Sequence, residues 1–245
     1  MIKVSIITVS YNSEKTIAKT IEAVLNQTYE NIEYIIIDGK SEDNTVAIAQ
    51  SYEQQFKEKG YEYIIISEPD KGMYDALNKG ARMATGELVG QTNADDWYET
   101  DAVSEMVRFY QKEHYDIAWA DLNILKASGN MIKHAKVGKL WTTSGFCHPT
   151  MFSKREILLE IPYSLIAMDD DFDFILKANN AKKKIMARSG KPLANYTFGG
   201  MSTEKSWKKA RQRMKMKYAT YCRNHYSKLY WFYCVAIESV KYILG

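Results

Sequence analysis

The order of strand-like and helical segments in the first 96 residues limits the possible folds more than any other feature of this chain. Val4 to Val9 is an apolar-rich run of the length of a buried strand, and the segment after it repeats Ile17, Ile21 and Leu25 on one helical face. The same order then recurs, with strands predicted at 32–37, 63–67 and 87–92 and helices at 45–59 and 73–84. Strands that alternate with helices form a mostly parallel sheet. The sequence therefore predicts an α/β fold.

The second half of the chain is less regular. The segments 117–125 and 131–137 are strand-like and flank Ser128-Gly129-Asn130, a sequence typical of a hairpin turn. Short helices are predicted at 154–160 and 170–177. The glycines and prolines between 138 and 200 indicate loops that shape a substrate site.

Composition excludes some classes of protein. The chain has 245 residues and a formal net charge of +3, which is much weaker than the electrostatic footprint of a nucleic-acid-binding protein. Its cysteines, Cys147, Cys222 and Cys234, lack the Cys-x-x-Cys spacing of zinc or redox sites and fit a reducing cytoplasm. Met1 leads directly into the first strand without the features of a signal peptide. We therefore expect a cytoplasmic protein that does not bind nucleic acid.

Polar residues follow four of the predicted strands. Because ligands of parallel sheets bind beyond the carboxyl ends of the strands, the loops with Tyr11, Asp38, Asp70-Lys71 and Asp95-Asp96 are expected to converge. The Asp95-Asp96 pair could hold Mg²⁺ or Mn²⁺, which prefer carboxylate oxygens, although aspartate is also a common helix cap. The first half lacks the glycine-rich loops of dinucleotide and P-loop enzymes. We therefore expect a cation on this pair to neutralise a diphosphate.

Four segments occur in an order and spacing that resemble glycosyltransferase family 2. They are VSIITVSYNSEKTIAKTIEAVLNQTY, IIIDGKSEDNT, EPDKGMYDALNKGARMATGE and TNADDWY, and the resemblance covers about residues 1–200. It implies a GT-A fold, which is Rossmann-like with a mostly parallel central sheet in α/β/α layers, here followed by a C-terminal helical extension. It also implies a nucleotide-sugar donor, a divalent metal and inversion at the anomeric carbon. The third segment is similar to bacterial enzymes of surface-polysaccharide assembly, such as O-antigen or capsule.

The resemblance assigns the donor-binding residues. Tyr11 would lie against the nucleobase, Asp38 would accept a hydrogen bond from it, and Asp70 with Lys71 would complete the nucleoside and phosphate contacts. Thr8 falls on the same donor side. Each of two residues has an alternative role. Asp38 would only form a turn before Gly39, and Tyr11 would only pack within the protein. A carboxylate at Asp38 can accept the imide proton of a pyrimidine, so UDP or dTDP is expected first.

The acidic metal motif of the family is often Asp-x-Asp, and here Asn93 stands at its first position. Asp95 and Asp96 are then the carboxylates for Mn²⁺ or Mg²⁺. Which of them binds the metal and which contacts the ribose stays open, with Asp96 favoured as the direct ligand.

A second acidic group, Asp169 to Asp173, is the candidate for the catalytic base. Adjacent carboxylates repel one another, which raises at least one pKa and favours a base. The segment DFDFILKA resembles the family's Asp-aromatic-Asp/Glu-aromatic pattern, which implies Asp171 as the base and Asp170 as the runner-up. Asp169 alternatively caps the helix. His148 resembles a histidine near the donor diphosphate or acceptor in relatives, and a structural histidine is the alternative.

The tail, residues 203–245, is basic and aromatic. Nine lysines or arginines lie between residues 205 and 228, followed by the aromatic run 230–233. Each basic side chain near an anionic membrane contributes about 1 kcal/mol, and Trp and Tyr favour the membrane boundary. We therefore expect peripheral contact with the inner face of the cell membrane, the alternative being a helical pair packed on the domain. The final apolar stretch, which contains Glu238 and Lys241, is too short and charged to span a membrane.

These inferences predict an enzyme in two parts. Residues 1–202 form the GT-A domain, with a nucleotide-sugar-binding half at 1–96 and an acceptor-binding half at 97–202, and residues 203–245 form the tail. The expected reaction transfers a sugar from a nucleotide sugar, with a UDP-sugar as the first choice, to a hydroxyl of a glycan carried on a polyprenyl diphosphate. A nucleotidyltransferase acting on sugar phosphates is one alternative, but the loop after the first strand lacks its glycine-rich basic sequence. A noncatalytic nucleotide-sugar-binding protein is another, against which the intact acidic residues argue.

Overall fold

The first half of the computed structural model alternates strands and helices as the sequence predicts. The structure describes residues 1–138, 141–166, 169–198 and 206–244. The elements of this half are β1 (Val4–Ser10), α1 (Ile17–Leu25), β2 (Ile32–Asp38), α2 (Thr45–Gln50), α3 (Glu53–Lys59), β3 (Glu62–Ser67), α4 (Met73–Met83) and β4 (Leu88–Asn93). The helical segment predicted at 45–59 is present, but it is divided into α2 and α3 by an interruption at Ser51. The Ser51 hydroxyl donates to the Ile48 carbonyl there, and such a side chain competes with the helical ladder.

The second half adds shorter elements to the same core. They are β5 (Trp97–Tyr98), α5 (Ala102–Glu113), β6 (Ile117–Ala120), β7 (Leu122–Leu125), β8 (Met131–Lys133), β9 (Phe152–Lys154), α6 (Arg155–Glu160), α7 (Asp170–Asn180), β10 (Ile185–Arg188), β11 (Ala194–Thr197), α8 (Trp207–Arg223) and α9 (Tyr230–Leu244). Two 3₁₀ turns, Thr143–Gly145 and His148–Thr150, precede β9.

Seven strands form the central sheet, in the order β10-β6-β9-β4-β1-β2-β3. All neighbouring pairs are parallel except those of β9, which runs antiparallel to β4 and β6. Every residue of β1 and β2 is buried, which requires that both faces of the sheet be covered. The predicted mostly parallel sheet is confirmed.

The predicted strand 117–125 divides between two sheets. At Ala120 the backbone N–H and C=O both bond to the Thr150 hydroxyl, at 3.0 and 2.6 Å, instead of to a neighbouring strand. The chain therefore leaves the central sheet as β6 and continues as β7 in a second, four-stranded sheet of order β5-β11-β7-β8. The predicted hairpin is confirmed there, because β7 and β8 pair antiparallel, although β8 ends at Lys133 rather than at Val137.

The tail forms a helical pair, α8 and α9, joined by a buried ion cluster. Glu238, which interrupts the last apolar stretch, is 1 % exposed and lies 2.8 Å from Arg213 Nε and 3.1 Å from Lys217 Nζ. Of the helices that the structure describes, none is long and apolar enough to cross a membrane. The predicted domain boundary between 202 and 203 lies outside the described residues.

Candidate active site

The ends of β1, β2, β3 and β4 lie side by side at one edge of the central sheet. Ser10 is the register partner of Asp38, Asp38 is also paired with Ser67, and Val9 is paired with Asn93. Because these strands are parallel, the loops that follow them leave the sheet at the same edge. The structure therefore brings the four predicted loops together.

Asp38 is buried, and its carboxylate is already bonded on all sides. It accepts hydrogen bonds from the hydroxyls of Ser10 (3.0 Å), Ser41 (2.5 Å) and Ser67 (2.7 Å), and from the Ser41 amide (2.8 Å). A carboxylate has about four acceptor positions, so these bonds fill it. Asp38 therefore orders the loop that follows β2. A nucleobase could bond to Asp38 only if one of these serines gave up its hydrogen bond, and Ser41 is the serine that lies on this loop.

The loop with Asp70 contacts the loop after Asp38 closely. A Cβ atom on Gly39 would lie 2.8 Å from Asp70 Oδ2, so any larger residue at this position would force the carboxylate of Asp70 to move. The other oxygen of Asp70 accepts the Gly72 amide at 2.8 Å. Lys71, between them, is exposed.

Tyr11 and Thr8 differ in what their side chains can reach. The side chain of Tyr11 is 63 % exposed, so the alternative in which it only packs in the protein is wrong. Thr8 is fully buried in the middle of β1, and its hydroxyl accepts a hydrogen bond from the Tyr34 hydroxyl at 2.9 Å. Because its side chain lies in the core, Thr8 cannot use that side chain for the predicted contact with the nucleotide sugar.

Asp95 is exposed and Asp96 is fully buried. Asp96 Oδ2 accepts a hydrogen bond from the side-chain amide of Asn93 (Nδ2) at 3.3 Å. Asp96 Oδ1 is buried without a hydrogen-bond partner among the described residues. Burial, and then the charge of Asp95, raise the pKa of Asp96 to about 8. The helix-cap alternative is wrong for this pair, because the strand β5 follows it and Asp101 stands at the start of α5.

This pair fits a divalent cation in part. An unpaired, buried carboxylate oxygen beside an exposed carboxylate is what a hard cation would satisfy. In the described parts of the chain, no group of three or more His, Cys, Asp or Glu side chains is arranged to hold a metal. Further ligands would therefore have to be water or the phosphates of a substrate.

The acidic run at the start of α7 contains groups with different environments. Asp170 is fully buried, and its Oδ2 accepts the Ile166 amide at 2.7 Å. Asp169 stands at the N-cap position of α7, as the alternative predicts, but its side chain makes no capping bond and instead accepts the Thr220 hydroxyl at 3.2 Å. Burial, and then the negative Asp171, raise the pKa of Asp169 to about 6. The prediction that at least one pKa in this run is raised is confirmed for Asp169.

Asp171 is partly exposed, and its carboxylate faces the side chains of Tyr74 and His148. Its Oδ1 accepts a hydrogen bond from the Tyr74 hydroxyl at 3.1 Å, and its Oδ2 lies 3.4 Å from His148 Nδ1, which forms no hydrogen bond there. Burial lowers the pKa of His148, although the charge of Asp171 acts in the opposite direction. Sequence reasoning missed Tyr74, which stands 97 residues away; its place in the segment EPDKGMYD was the available signal.

Comparison with known proteins identifies the family. Residues 5–171 match the family model described as "Glycosyl transferase family 2". The chain belongs to this family. It is 27 % identical over 203 residues to "PGL/p-HBAD biosynthesis glycosyltransferase" of Mycobacterium tuberculosis, a match that covers 81 % of this chain and 78 % of that protein. Family membership supports the predicted glycosyltransferase over the nucleotidyltransferase alternative.

Two solved structures resemble this family 2 chain along almost its whole length. One is S. aureus TarS 1-349 in complex with UDP-GlcNAc, with a TM-score of 0.71, 19 % identity, and coverage of 98 % of this chain and 72 % of that one. The other is the mannosyltransferase PcManGT of Pyrobaculum calidifontis in complex with GDP-Man and Mn²⁺, with a TM-score of 0.69, 16 % identity, and coverage of 100 % and 76 %. The predicted GT-A fold with C-terminal helices is confirmed.

Proposed function

We propose that this family 2 glycosyltransferase inverts the anomeric centre of a nucleotide sugar and transfers the sugar to a hydroxyl of a glycan acceptor. The hydrogen bond between Tyr74 and Asp171 carries the proposal. Tyr74 lies in the first turn of α4, directly after the Asp70-Lys71 loop at the sheet edge. The bond therefore brings the acidic run of α7 next to the loops proposed to bind the donor, where a base could reach an acceptor hydroxyl that attacks the anomeric carbon.

Asp171 is the proposed base. As the acceptor oxygen attacks the anomeric carbon, the carboxylate takes the proton of that hydroxyl, and the bond from the anomeric carbon to the diphosphate oxygen breaks on the opposite side. Tyr74 donates to one carboxylate oxygen and orients the group, and His148 lies beside the other. From there His148 would contact the acceptor or the diphosphate. Asp170 stays the runner-up, and its burial and its bond to the Ile166 amide favour a role in starting α7.

The donor is proposed to bind at the sheet edge. The exposed ring of Tyr11 would lie against the base, Lys71 would contact phosphate, and Asp70 would bind the nucleoside. Asp38 would accept the imide proton of a pyrimidine once Ser41 released one of its bonds. The UDP-GlcNAc bound by TarS supports a UDP-sugar as the first choice, and the GDP-Man bound by PcManGT is the competing class.

Asp96 and Asp95 would hold Mn²⁺ or Mg²⁺, with Asp96 as the direct ligand. When bound, the cation would neutralise the charge that develops on the departing nucleoside diphosphate. The unpaired Oδ1 of buried Asp96 and the Mn²⁺ in the PcManGT complex support this assignment. Asp95 is exposed and would contact the ribose or the phosphates.

Release of nucleotide from UDP-, GDP- and dTDP-sugars with Mn²⁺ tests the function. For the sugar nucleotide that the wild type uses, Asp171→Asn should lower kcat by about 10²- to 10⁴-fold, the range of general-base catalysis, and leave UDP affinity unchanged. Asp170→Asn is the matched control, with the fold checked by circular dichroism. Full activity of the Asp171 variant together with loss in the Asp170 variant would move the base one position upstream.

The acceptor is proposed to be linked to a polyprenyl diphosphate, with the tail in peripheral contact with the inner face of the membrane. The basic side chains of α8 that support this are exposed, namely Lys208, Arg211 and Lys215. Trp207 and Phe232 are exposed as well, at 53 % and 71 %. A protein ending near residue 206 that partitions onto anionic liposomes as strongly as the full chain would contradict the membrane contact.

A further inference from the structure

Three tyrosines of the tail hold the backbone of a loop that lies outside it, residues 141–146. The Tyr230 hydroxyl accepts the amide of Trp141, and the Tyr233 hydroxyl accepts the amide of Thr143, both at 3.1 Å. The Tyr221 hydroxyl donates to the Trp141 carbonyl at 2.7 Å. The rings of Tyr221 and Tyr230 are stacked, with centroids 4.1 Å apart, which fixes the hydroxyls relative to each other.

The same loop is held from its other side by the domain. Lys133, whose side chain is partly buried, donates to the Phe146 carbonyl at 2.5 Å, and the indole of Trp119 donates to the Gly145 carbonyl at 2.6 Å. An irregular segment whose polar backbone groups are bonded from both sides has a specified position. Two residues after Phe146 the chain reaches His148, beside the proposed base. The position of the loop therefore sets the position of His148.

The loop also forms one wall of a cavity of about 590 Å³. This volume is in the range of sites for small molecules. Aromatic rings of Trp119, Trp141, Phe146 and Phe172 line the cavity, together with the hydroxyl residues Thr142 and Ser144. Such a lining suits a sugar ring, whose faces are apolar and whose edge carries hydroxyls. Phe172 follows the proposed base directly in the sequence.

The tail contacts α7 on both sides of the proposed base. The Thr220 hydroxyl donates to Asp169 Oδ1 at 3.2 Å, and the Asn224 amide nitrogen donates to Asp173 Oδ1 at 2.7 Å. Asp171 lies between these two anchored carboxylates. One helical pair thus contacts both the loop before His148 and the helix that carries the base.

We propose that Tyr230 and Tyr233 are positioning residues for the acceptor side of the reaction. Their hydroxyls hold the 141–146 loop so that His148 stays beside Asp171 and the cavity keeps its wall. The inference rests on the proposed function, because it takes this side of the site as the place where the attacking oxygen arrives. If the tyrosines only attached the tail to the domain, their loss would affect stability without separating turnover from donor binding.

The test uses Tyr230→Phe and Tyr233→Phe in the full chain, which keep the rings and remove only the hydroxyls. Tyr242→Phe is the matched control, since this ring lies on α9 at the surface against Trp207. The probe is hydrolysis of the sugar nucleotide that the wild type turns over, with water as the acceptor. We expect kcat to fall at least fivefold in the first two variants with the donor KM within twofold of wild type, and no change in the control.

Amide hydrogen exchange gives a second measurement that does not depend on turnover. Peptides that cover residues 141–148 should exchange at least tenfold faster in the two variants, and peptides from β1 should not change. If the wild type is active and the two variants have the same exchange rates and the same kcat as the wild type, this inference is overturned while the proposed function stands. A parallel loss of kcat, donor affinity and thermal stability in the variants would also overturn the inference. If the wild type turned over no sugar nucleotide, both the proposed function and this inference would be refuted.

Discussion

Replacement of Asp169 by Asn should make the protein more stable at neutral pH. The folded protein raises the pKa of Asp169 to about 6 from an ordinary value of 3.8, mainly because the carboxyl is buried and then because Asp171 is negative. The folded state therefore binds a proton more tightly than the unfolded state does. The stability that comes from this proton is fully present below the ordinary pKa and is lost as pH rises through the folded-state pKa.

The size of the effect follows from the two pKa values. They differ by about two pH units, and each unit corresponds to about 1.4 kcal/mol, so ionised Asp169 lowers the free energy of unfolding by about 3 kcal/mol at pH 7.5. Asn cannot ionise and keeps an oxygen for the Thr220 hydroxyl. Asp169→Asn should thus equal wild type near pH 4 and exceed its stability by up to about 3 kcal/mol at pH 7.5.

Urea unfolding at a series of pH values between about 2.5 and 8 measures this difference. Asp173→Asn, on the same helix, should behave with the opposite sign. Although burial acts to raise its pKa, hydrogen bonds from Lys177, Ser164 and Asn224 hold the pKa of Asp173 below its ordinary value. Its variant should be destabilised at neutral pH and approach wild type as pH falls below 4. Equal destabilisation of the Asp169 variant at both ends of the range would refute the reasoning.

Three further perturbations test the tail, the donor loops and the cation pair. Glu238→Leu leaves Lys217 buried without its carboxylate and should cost about 3–5 kcal/mol in urea unfolding; a cost below about 1 kcal/mol would contradict the ion cluster. Gly39→Ala places a Cβ 2.8 Å from Asp70 Oδ2 and should weaken UDP binding at least tenfold by calorimetry, and unchanged affinity would show that Asp70 moves aside without consequence. Asp96→Asn should abolish the increase in UDP affinity that Mn²⁺ produces, and an increase that persists would remove Asp96 as the ligand.

The positions of the main elements could be predicted from the sequence because the signals are local. The apolar runs of β1 and β2 and the four-residue repeat of α1 are properties of neighbouring residues, and they determine which segments become buried strands and helices. A parallel sheet then places the ends of those strands at one edge. The convergence of Tyr11, Asp38, Asp70 and Asp95-Asp96 follows from that order alone.

The chemistry of individual side chains depended on contacts that are distant along the chain. Asp95 and Asp96 are adjacent and identical in type, but only Asp96 is buried with an unpaired oxygen. The family pattern placed Thr8 on the donor side. In the structure the Thr8 side chain lies in the core, where its hydroxyl accepts a hydrogen bond from the Tyr34 hydroxyl.

The tail shows the same division most clearly. Its sequence determined that the segment would be helical, basic and aromatic, because those are properties of composition. Only the tertiary structure decided that the hydroxyls of Tyr230 and Tyr233 bond to Trp141 and Thr143, about ninety residues away. A hydrogen bond requires that two particular atoms approach within about 3 Å, and no local pattern encodes that approach; it is the packing of the whole chain that produces it.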